Sequence, residues 1–327
     1  MASEFDIIRR YFTRPVKRAM LGVGDDCALI GPEAGAAFAV STDMLVEGRH
    51  FLAGTDAAQL GHKALAVNLS DLAAMGAAPR YATLALALPD ADERWLEQFS
   101  QGFFRLADAF DIELIGGDTT RGPRTISITV LGAVPPGEAL RRDGARTGDD
   151  VWLSGASGDA ALALAHLDGR IRLSGAALAH CLARLHAPVP CVRLGLALRG
   201  IASSAIDVSD GLVADVGHIA ECSAVAIELH YPALPRSRAL QACADARLAQ
   251  ECLLAGGDDY ELAFTAAAQA RGRVEALAGE LGLTLTRIGS VLAGAPGQVS
   301  VLDAAGATMQ LERRGYDHFG GEAPAAT

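Results

Sequence analysis

The chain has 327 residues, of which half are hydrophobic and a fifth are charged, and its formal net charge is −11. This length and composition predict a globular protein of two domains, since single domains usually contain about 100–200 residues. The acidic balance argues against a nucleic-acid or anionic-membrane surface, which needs basic patches, but it allows a phosphate ligand held through bound cations.

Strand and helix patterns alternate along the first 140 residues. An apolar run at 38–42 predicts a buried strand that delivers Asp43 at its end, and a helical pattern follows at about 56–75. Further strands are predicted at 81–88, 113–115 and 125–134, with a helix at 92–110 between the first two. The stretch Pro135-Pro136-Gly137 is the clearest break in the chain and predicts a domain boundary near residue 140.

The second part of the chain shows the same alternation. Strands are predicted at 150–155, 205–207, 261–265, 283–288 and 298–302, and helical stretches at 159–185, 191–199 and 212–222. We therefore predict an α/β (α+β) fold of two domains, residues 1–140 and 141–327.

No targeting, membrane or cysteine motif is recognisable. The six cysteines include no C-x-x-C pair, which argues against a zinc knuckle or a thioredoxin-like site. Residues 1–6 lack the basic and apolar segments of a signal peptide, and no apolar run approaches the roughly 20 residues that span a bilayer. We therefore expect a cytoplasmic protein with neither nucleic acid nor a membrane as a partner.

Aspartates recur where predicted strands end and glycine or small-residue turns begin. The instances include Gly24-Asp25-Asp26, Ser41-Thr42-Asp43, Gly116-Gly117-Asp118, Asp207-Val208-Ser209-Asp210-Gly211 and Gly256-Gly257-Asp258-Asp259. Any one of them could be a plain turn, and an N-cap could explain either Asp207 or Asp210. Carboxylates that approach one another cost energy unless a cation offsets their repulsion, and Mg²⁺ prefers oxygen ligands. Together the acidic turns predict a multi-metal phosphate site.

Two further features support a site of this kind. Asp71 lies among apolar residues of the predicted helix, so we expect it to be partly buried and to need a partner. The hydroxyl or carbonyl oxygens of Ser41 and Thr42 could complete an octahedral Mg²⁺ shell around the Asp43 carboxylate. The chain contains no P-loop, zincin or serine-hydrolase motif that would indicate another chemistry.

A known family carries the same segments in the same order. They are residues 24–28, 41–43, 48–51, 63–77, 115–122, 206–212, 256–262 and 315–319. The chain resembles the thiamine-monophosphate kinase family over essentially its whole length. Segments 63–77 and 315–319 are the most specific, whereas the Gly-Asp-Asp and Asp-x-Ser-Asp-Gly elements are shared across the aminoimidazole-ribonucleotide-synthetase-like superfamily.

The resemblance implies a fold, a reaction and a set of site residues. The fold would be the two-domain fold of that superfamily, with the N-terminal sheet forming the interface of a homodimer. The reaction would be the Mg²⁺-dependent phosphorylation of thiamine monophosphate by ATP, the last step of thiamine diphosphate biosynthesis, with several Mg²⁺ ions bound. The implied metal ligands are Asp26, Ser41, Thr42, Asp43, Asp71, Asp118, Asp207 and Asp210; the ATP contacts are Gly117, Asp118, Arg142 and Ser209; the substrate contacts are His50, Asp258 and Tyr316. The family has Glu where this chain has Asp258, and no catalytic side chain is implied beyond the metal ligands.

The chemistry of this reaction predicts direct transfer. Phosphoryl transfer mainly requires in-line positioning and charge neutralisation, and the attacking phosphate oxygen is already anionic at neutral pH. We therefore expect no phospho-enzyme.

Two kinds of alternative remain open at this point. One is another ATP-using member of the superfamily: a ligase-like synthetase, a selenophosphate synthetase or a hydrogenase-maturation protein. The last two are disfavoured, because the sequence has no C-terminal cysteine and Cys27 lies within the aspartate turn. The other alternative is a non-catalytic regulator that binds metal or nucleotide through the same carboxylates.

Overall fold

The computed structural model describes residues 3–24 and 27–316, so Asp25, Asp26 and residues 317–319 of the terminal motif lie outside the described residues. The chain forms two compact units: the first contains the residues up to Ala139 together with His186–Arg199, and the second contains Leu140–Leu185 and the residues from Gly200 onward. None of the helices in the described ranges combines the length and the apolar character needed to cross a membrane.

The secondary structure elements alternate along most of the chain. In order they are α1 (Glu4–Ile7), β1 (Ala37–Val46), α2 (Ala57–Ala74), β2 (Ala78–Leu88), α3 (Glu93–Ala109), β3 (Glu113–Arg121), β4 (Thr125–Val134), β5 (Asp149–Ser154), α4 (Asp159–Leu167), α5 (Gly175–His186), α6 (Val192–Leu198), β6 (Ser204–Asp207), α7 (Leu212–Cys222), β7 (Ala226–His230), α8 (Arg238–Gln241), α9 (Ala246–Ala255), β8 (Leu262–Ala267), α10 (Arg271–Leu281), β9 (Leu285–Leu292) and β10 (Val299–Leu302).

The first unit contains a four-stranded sheet in the order β1-β4-β2-β3. Strand β4 pairs antiparallel with β1 and β2, whereas β2 and β3 are parallel and are joined through α3. Helices α2 and α3 cross closely at two glycines: a Cβ on Gly61 would lie 2.1 Å from the Phe99 carbonyl oxygen, and one on Gly102 would lie 1.8 Å from that of Ala58. Helix α2 also packs against the sheet, where it contacts β4 and β1.

The second unit contains a six-stranded sheet in the order β10-β7-β9-β5-β8-β6. Only β10 and β7 are parallel, and the other neighbours are antiparallel. Side chains of the central strands pack with those of α4, α7 and α9 in one hydrophobic core, which includes Leu153, Ile206, Val216, Leu253 and Ala263. Strand β6 leads into α7 through the loop 208–211, and α9 leads into β8 through the glycine-rich segment 256–261.

The predicted mixed α/β fold is confirmed, including its two sheets. The helical stretch predicted at 159–185 is two helices, α4 and α5, because the chain turns at Gly169, whose φ of +74° favours glycine. The patterns did not predict β7, α8, α9 or α10. The role of the N-terminal sheet as a dimer interface stays a prediction.

Candidate active site

Three predicted metal ligands lie where strand β1 packs against helix α2. The Ser41 hydroxyl donates a hydrogen bond to the Asp71 carboxylate, and Asn68 Oδ1 accepts one from the backbone N–H of Asp43 at 3.1 Å. Ser41 and Asp43 are two residues apart on a strand, and Asn68 and Asp71 are three apart on a helix, so each pair shares one face. Asp71 is half-buried, as predicted. The structure therefore brings Ser41, Asp43 and Asp71 to one interface.

The Thr42 side chain lies on the other face of β1. Its hydroxyl is 2.8 Å from the hydroxyl of Thr129, which is directly opposite in the register with β4. Side chains alternate between the two faces of a strand, so this hydroxyl is not beside those of Ser41 and Asp43. The structure therefore does not bring the Thr42 hydroxyl to the interface that holds Ser41, Asp43 and Asp71.

His50 closes the tight turn that follows β1. Its Nδ1 accepts a hydrogen bond from the backbone N–H of Val46 at 3.0 Å, and its own backbone N–H donates to the Val46 carbonyl oxygen at 3.0 Å. An accepting Nδ1 carries no proton, so the imidazole is neutral and its proton is on Nε2. The turn thus fixes the orientation of the ring and makes Nε2 a hydrogen-bond donor.

Gly117 and Asp118 lie on strand β3 beside a small cavity. Gly117 has a φ of +152°, and a Cβ there would lie 1.8 Å from the carbonyl oxygen of Leu84 on β2, so only glycine fits. The cavity is lined by apolar side chains, Phe12, Val23 and Leu84 among them, and by residues 117–119. The cavity has a volume of about 30 Å³, room for about one water molecule and not for a nucleotide, so the assignment of Gly117 and Asp118 to ATP stays a prediction.

Asp118 is distant from the β1 ligands within one sheet. Strands β1 and β3 are the two edges, and β4 and β2 lie between them. Three interstrand spacings of about 4.8 Å separate the edges by roughly 14 Å, several times a Mg²⁺–oxygen distance of about 2.1 Å. Asp118 and Asp43 therefore do not share a cation across a single sheet.

The oxygen donors between β1 and α2 fit a hard cation. Within residues 3–24 and 27–316, no three His, Cys, Asp or Glu side chains are grouped closely enough to hold a metal ion by themselves, and Asp26 is not among those residues. Mg²⁺ is usually bound by one or two carboxylates and completes its shell with water and substrate phosphate oxygens. Asp43, Asp71 and the Ser41 hydroxyl supply a donor set of this composition.

In the second unit, the loop between β6 and α7 carries Asp207, Ser209 and Asp210. Strand β6 ends at the buried Asp207 and the N-cap residue of α7 is Gly211, so neither predicted aspartate is the N-cap. Instead, Oδ2 of Asp215 accepts hydrogen bonds from the backbone N–H groups of Ser209, Asp210 and Gly211 at 3.0, 3.1 and 3.0 Å. Burial raises the pKa of Asp215 to about 7.

Asp258 lies beside that loop. Its backbone N–H donates a hydrogen bond to the Ser209 carbonyl oxygen at 2.8 Å. The N–H of Tyr260 donates one to the Val208 carbonyl oxygen, also at 2.8 Å. Asp258 and Tyr260 both have positive φ values, +68° and +52°, and the Tyr260 hydroxyl donates to Asp258 Oδ1 at 2.9 Å. The carboxylate of Asp258, shorter than the expected Glu, is thus oriented from within its own loop.

Tyr316 reaches the same loop from the C-terminal segment. Its backbone N–H donates to the Asp210 carbonyl oxygen at 2.8 Å, and its side chain is exposed. Ser209 and Asp210, predicted to contact ATP and metal, are therefore neighbours of Asp258 and Tyr316, which are predicted to contact the second substrate.

Arg142 lies in a short turn at 142–144 with an exposed side chain. Its carbonyl oxygen accepts a hydrogen bond from Ser223 Oγ at 2.7 Å, and a Cβ on Gly144 would lie 1.8 Å from the carbonyl oxygen of Ser203. The backbone of the turn is thereby fixed, while the guanidinium is accessible to an anionic ligand.

The sequence did not identify Asp215 or Asp259. Asp259 is buried, both of its carboxylate oxygens accept from the N–H of Gly158 at 3.0 and 2.8 Å, and burial raises its pKa well above the usual range. An aspartate among apolar helical neighbours was the signal that singled out Asp71, and the same signal is present at Asp215. Asp259 gave no such signal, because its pairing with Asp258 after two glycines is typical of an exposed turn.

Part of the chain matches a known domain family. Residues 24–134 match the model described as AIR synthase related protein, N-terminal domain. The matched range contains all four strands of the first unit's sheet.

Curated and solved proteins match over most of the chain. A thiamine-monophosphate kinase of Salmonella typhimurium is 46% identical over 321 residues, which are 97% of this chain and 98% of that protein. The crystal structure of thiamine-monophosphate kinase from Stenotrophomonas maltophilia has a TM-score of 0.83 and 50% identity, and covers 90% of this chain and 94% of that chain. The structure of AaThiL complexed with AMPPCP and TMP has a TM-score of 0.77 and 30% identity, covering 88% of this chain and 89% of that chain.

Proposed function

The chain belongs to the thiamine-monophosphate kinase family, and on that premise we propose that it transfers the γ-phosphoryl group of ATP to thiamine monophosphate. The observation that carries this proposal is the similarity, over 97% of the chain, to a curated kinase of that name. The solved relative bound to AMPPCP and TMP supports the pairing of the two substrates, because AMPPCP is ATP with a methylene in place of the β,γ-bridging oxygen. The products are ADP and thiamine diphosphate, so the reaction is the last step of thiamine diphosphate biosynthesis.

In the first unit, we assign the metal ligands and one ATP contact. Asp43 and Asp71 hold Mg²⁺ together with the Ser41 hydroxyl, a role supported by the contacts between β1 and α2, and an oxygen of Thr42 is proposed as a further ligand. When bound, Mg²⁺ neutralises phosphate charge and polarises the phosphoryl group. We also assign Gly117 to an ATP contact, made through the backbone of β3, where the close approach of Leu84 requires glycine.

In the second unit, we assign residues to both substrates. Asp207 and Asp210 serve as further oxygen ligands, and Ser209 and the exposed guanidinium of Arg142 contact ATP. Asp258 and Tyr316 contact thiamine monophosphate, and their hydrogen bonds to the 209–210 backbone support this grouping.

His50, in the first unit, completes the acceptor contacts. It donates from Nε2, which the turn after β1 leaves protonated. A neutral donor of this kind suits a phosphate or carbonyl oxygen.

The transfer itself needs no protein nucleophile. The attacking phosphate oxygen of thiamine monophosphate is anionic at neutral pH, so the protein's task is to hold it in line with the γ-phosphorus atom and to exclude water. We therefore propose direct transfer. Turnover with γ-labelled ATP should leave no label on the protein, and a labelled protein intermediate would refute direct transfer.

A homodimer accounts for the position of Asp118. The exposed face of edge strand β1 carries Val40 and Met44, which are 61% and 55% exposed, and an apolar face of this kind is typical of an interface. Asp118 lies on the opposite edge from Asp43, so a second copy that places its β3 edge beside β1 would bring its Asp118 to the strand that carries Asp43. We propose that the N-terminal sheets form this dimer and that Asp118 acts on the site of the partner subunit.

The proposed activity is tested by a coupled assay for ADP release. Purified protein with Mg²⁺ and ATP should release ADP only when thiamine monophosphate is added, and thiamine diphosphate should appear in equal amount. No turnover with folded, Mg²⁺-supplied protein would favour a regulator that binds nucleotide without catalysis.

The shared site is tested by mixing two inactive variants, Asp43→Asn and Asp118→Asn. If each site takes one aspartate from each protomer, a mixed dimer has one intact site, and activity should return to about a quarter of the parent value after random re-association, in which half of the dimers are mixed. Absence of any recovery, with subunit exchange verified by mass spectrometry of the native protein, would place both aspartates in the site of one protomer.

A further inference from the structure

The Asp215 carboxylate accepts hydrogen bonds from the backbone of loop 208–211, which carries Ser209 and Asp210, the predicted nucleotide and metal contacts. It is 2% exposed, and its Oδ2 alone accepts the three consecutive N–H groups of Ser209, Asp210 and Gly211. Successive backbone N–H groups that converge in this way form a concave anion-binding arrangement. Here an internal carboxylate occupies that concavity, so the loop is folded around Asp215.

The carbonyl groups of the same loop accept hydrogen bonds from Asp258 and Tyr316, the residues proposed to contact thiamine monophosphate. The carbonyl oxygen of Ser209 accepts a hydrogen bond from the N–H of Asp258, and the carbonyl oxygen of Asp210 accepts one from the N–H of Tyr316, each at 2.8 Å. A peptide group is planar, so the direction of each N–H that Asp215 binds constrains the carbonyl group of the preceding residue. The N–H of Asp210 belongs to the same peptide plane as the Ser209 carbonyl, and the N–H of Gly211 to that of the Asp210 carbonyl.

The surroundings leave the loop little room to move. A Cβ on Gly257 would lie 2.3 Å from the Ser209 carbonyl oxygen, and a Cβ on Gly211 would lie 2.8 Å from the carbonyl carbon of Ala255. Glycine at both positions permits this close packing of the two loops. A shift of residues 209–211 would therefore be transmitted to Asp258 rather than absorbed.

We propose that Asp215 is a positioning residue, which sets the places of Ser209 and Asp210 on one side and of Asp258 and Tyr316 on the other. It does not touch either substrate, and it acts only through the three peptide planes whose N–H groups it binds. This inference rests on the proposed kinase activity.

The proposal predicts a kinetic defect that a loss of helix stability alone would not produce. Misplacement of substrate-positioning groups by about 1 Å can cost about 100-fold in rate. For Asp215→Ala we expect kcat/KM for thiamine monophosphate to fall about 10- to 100-fold, with the KM for ATP also raised. Asp215→Asn keeps an oxygen at the Oδ2 position, so it should recover most of that loss.

The matched control is Asp92→Ala in the first unit. Asp92 is the N-cap of α3, and its Oδ1 accepts from the N–H groups of Arg94 and Trp95 at 2.9 and 3.2 Å. Asp92→Ala and Asp215→Ala each remove a carboxylate that binds backbone N–H groups near the start of a helix. The thermal stability of both variants should therefore fall. The kinetic parameters should change only in Asp215→Ala.

The experiment combines steady-state kinetics of the full-length variants with amide hydrogen exchange. Faster exchange in peptides 206–212 and 257–261 of Asp215→Ala, together with the kinetic loss and its recovery in Asp215→Asn, is the expected result. Parent-like kinetics and exchange at 257–261 in folded Asp215→Ala would overturn the positioning role. If the parent protein itself releases no ADP, the proposed activity fails instead, and the exchange at 257–261 still decides whether Asp215 organises both loops.

A second comparison covers the case in which Asp215→Ala does not fold. Asp215→Glu moves the carboxylate by one methylene and Asp215→Asn does not, so kcat/KM should be lower in the glutamate variant. Equal values in the two folded variants would contradict the proposal.

Discussion

Replacement of Gly117 by alanine tests the close approach of strands β2 and β3 and the ATP contact proposed for Gly117. The new Cβ would lie 1.8 Å from the Leu84 carbonyl oxygen, whereas non-bonded carbon contacts are near 3.5 Å, so β2 and β3 would have to separate locally by about 1.7 Å. Such a shift would break the ladder hydrogen bonds on either side of the Leu84–Gly117 pair. Overpacking costs about 1–3 kcal/mol and a strained positive φ costs a similar amount, so we expect a loss of about 2–5 kcal/mol in the free energy of unfolding.

The adjacent glycine provides the control. A Cβ on Gly116 would meet only Thr83 Cγ2, at 3.9 Å, so Gly116→Ala should unfold within about 1 kcal/mol of the parent. Urea unfolding of both variants measures this difference. In the folded fraction of Gly117→Ala, the KM for ATP should rise because the strand beside the cavity has moved. A Gly117→Ala protein as stable as Gly116→Ala, with the parent KM for ATP, would refute the close approach of β2 and β3 and the ATP contact proposed for Gly117.

Three further changes have defined outcomes. Asp43→Asn should lower kcat by about two orders of magnitude or more at an unchanged thermal unfolding midpoint, because it removes a metal-binding charge; full retained activity would exclude Asp43 as a metal ligand. Arg271 holds the pKa of Asp150 below its usual value, so this carboxylate stabilises the fold above about pH 4 and ceases to do so as the pH falls through its lowered pKa. Asp150→Asn should therefore lose about 1.5–3 kcal/mol of unfolding free energy at pH 7 and progressively less as the pH falls below about 4, as measured by urea unfolding, and a loss that does not change with pH would be inconsistent with the ion pair. The double substitution Val40→Asp and Met44→Asp should convert the proposed dimer into a monomer, as measured by the molecular mass in analytical ultracentrifugation. A mass equal to that of the parent dimer would place the interface elsewhere.

The fold was predictable where periodicity and chain breaks agree. The pattern at 56–75 gave helix α2 almost to its ends, because Asp56 caps the helix at one end and Gly76 follows it at the other. Helix α10 was not predicted, since its sequence alternates apolar and charged residues without an apolar stripe and only Val274 is buried. Strand β7 was not predicted, because its apolar residues follow those of α7 after only three residues, with neither glycine nor proline between the two elements.

The site was predictable only as a list of residues along the chain, because acidic turns show which side chains are polar but not which backbone groups they meet. The structure separates the aspartates by their partners. Asp43 and Asp71 lie at one edge of a sheet, Asp118 lies at the opposite edge, and the carboxylate of Asp215 is used to hold backbone N–H groups. A run of acidic turns therefore overstates the number of carboxylates that one protomer can direct at one cation. Strand order, which no local pattern reveals, decides that number, and for this chain it separates Asp118 from the Asp43 and Asp71 carboxylates within one sheet.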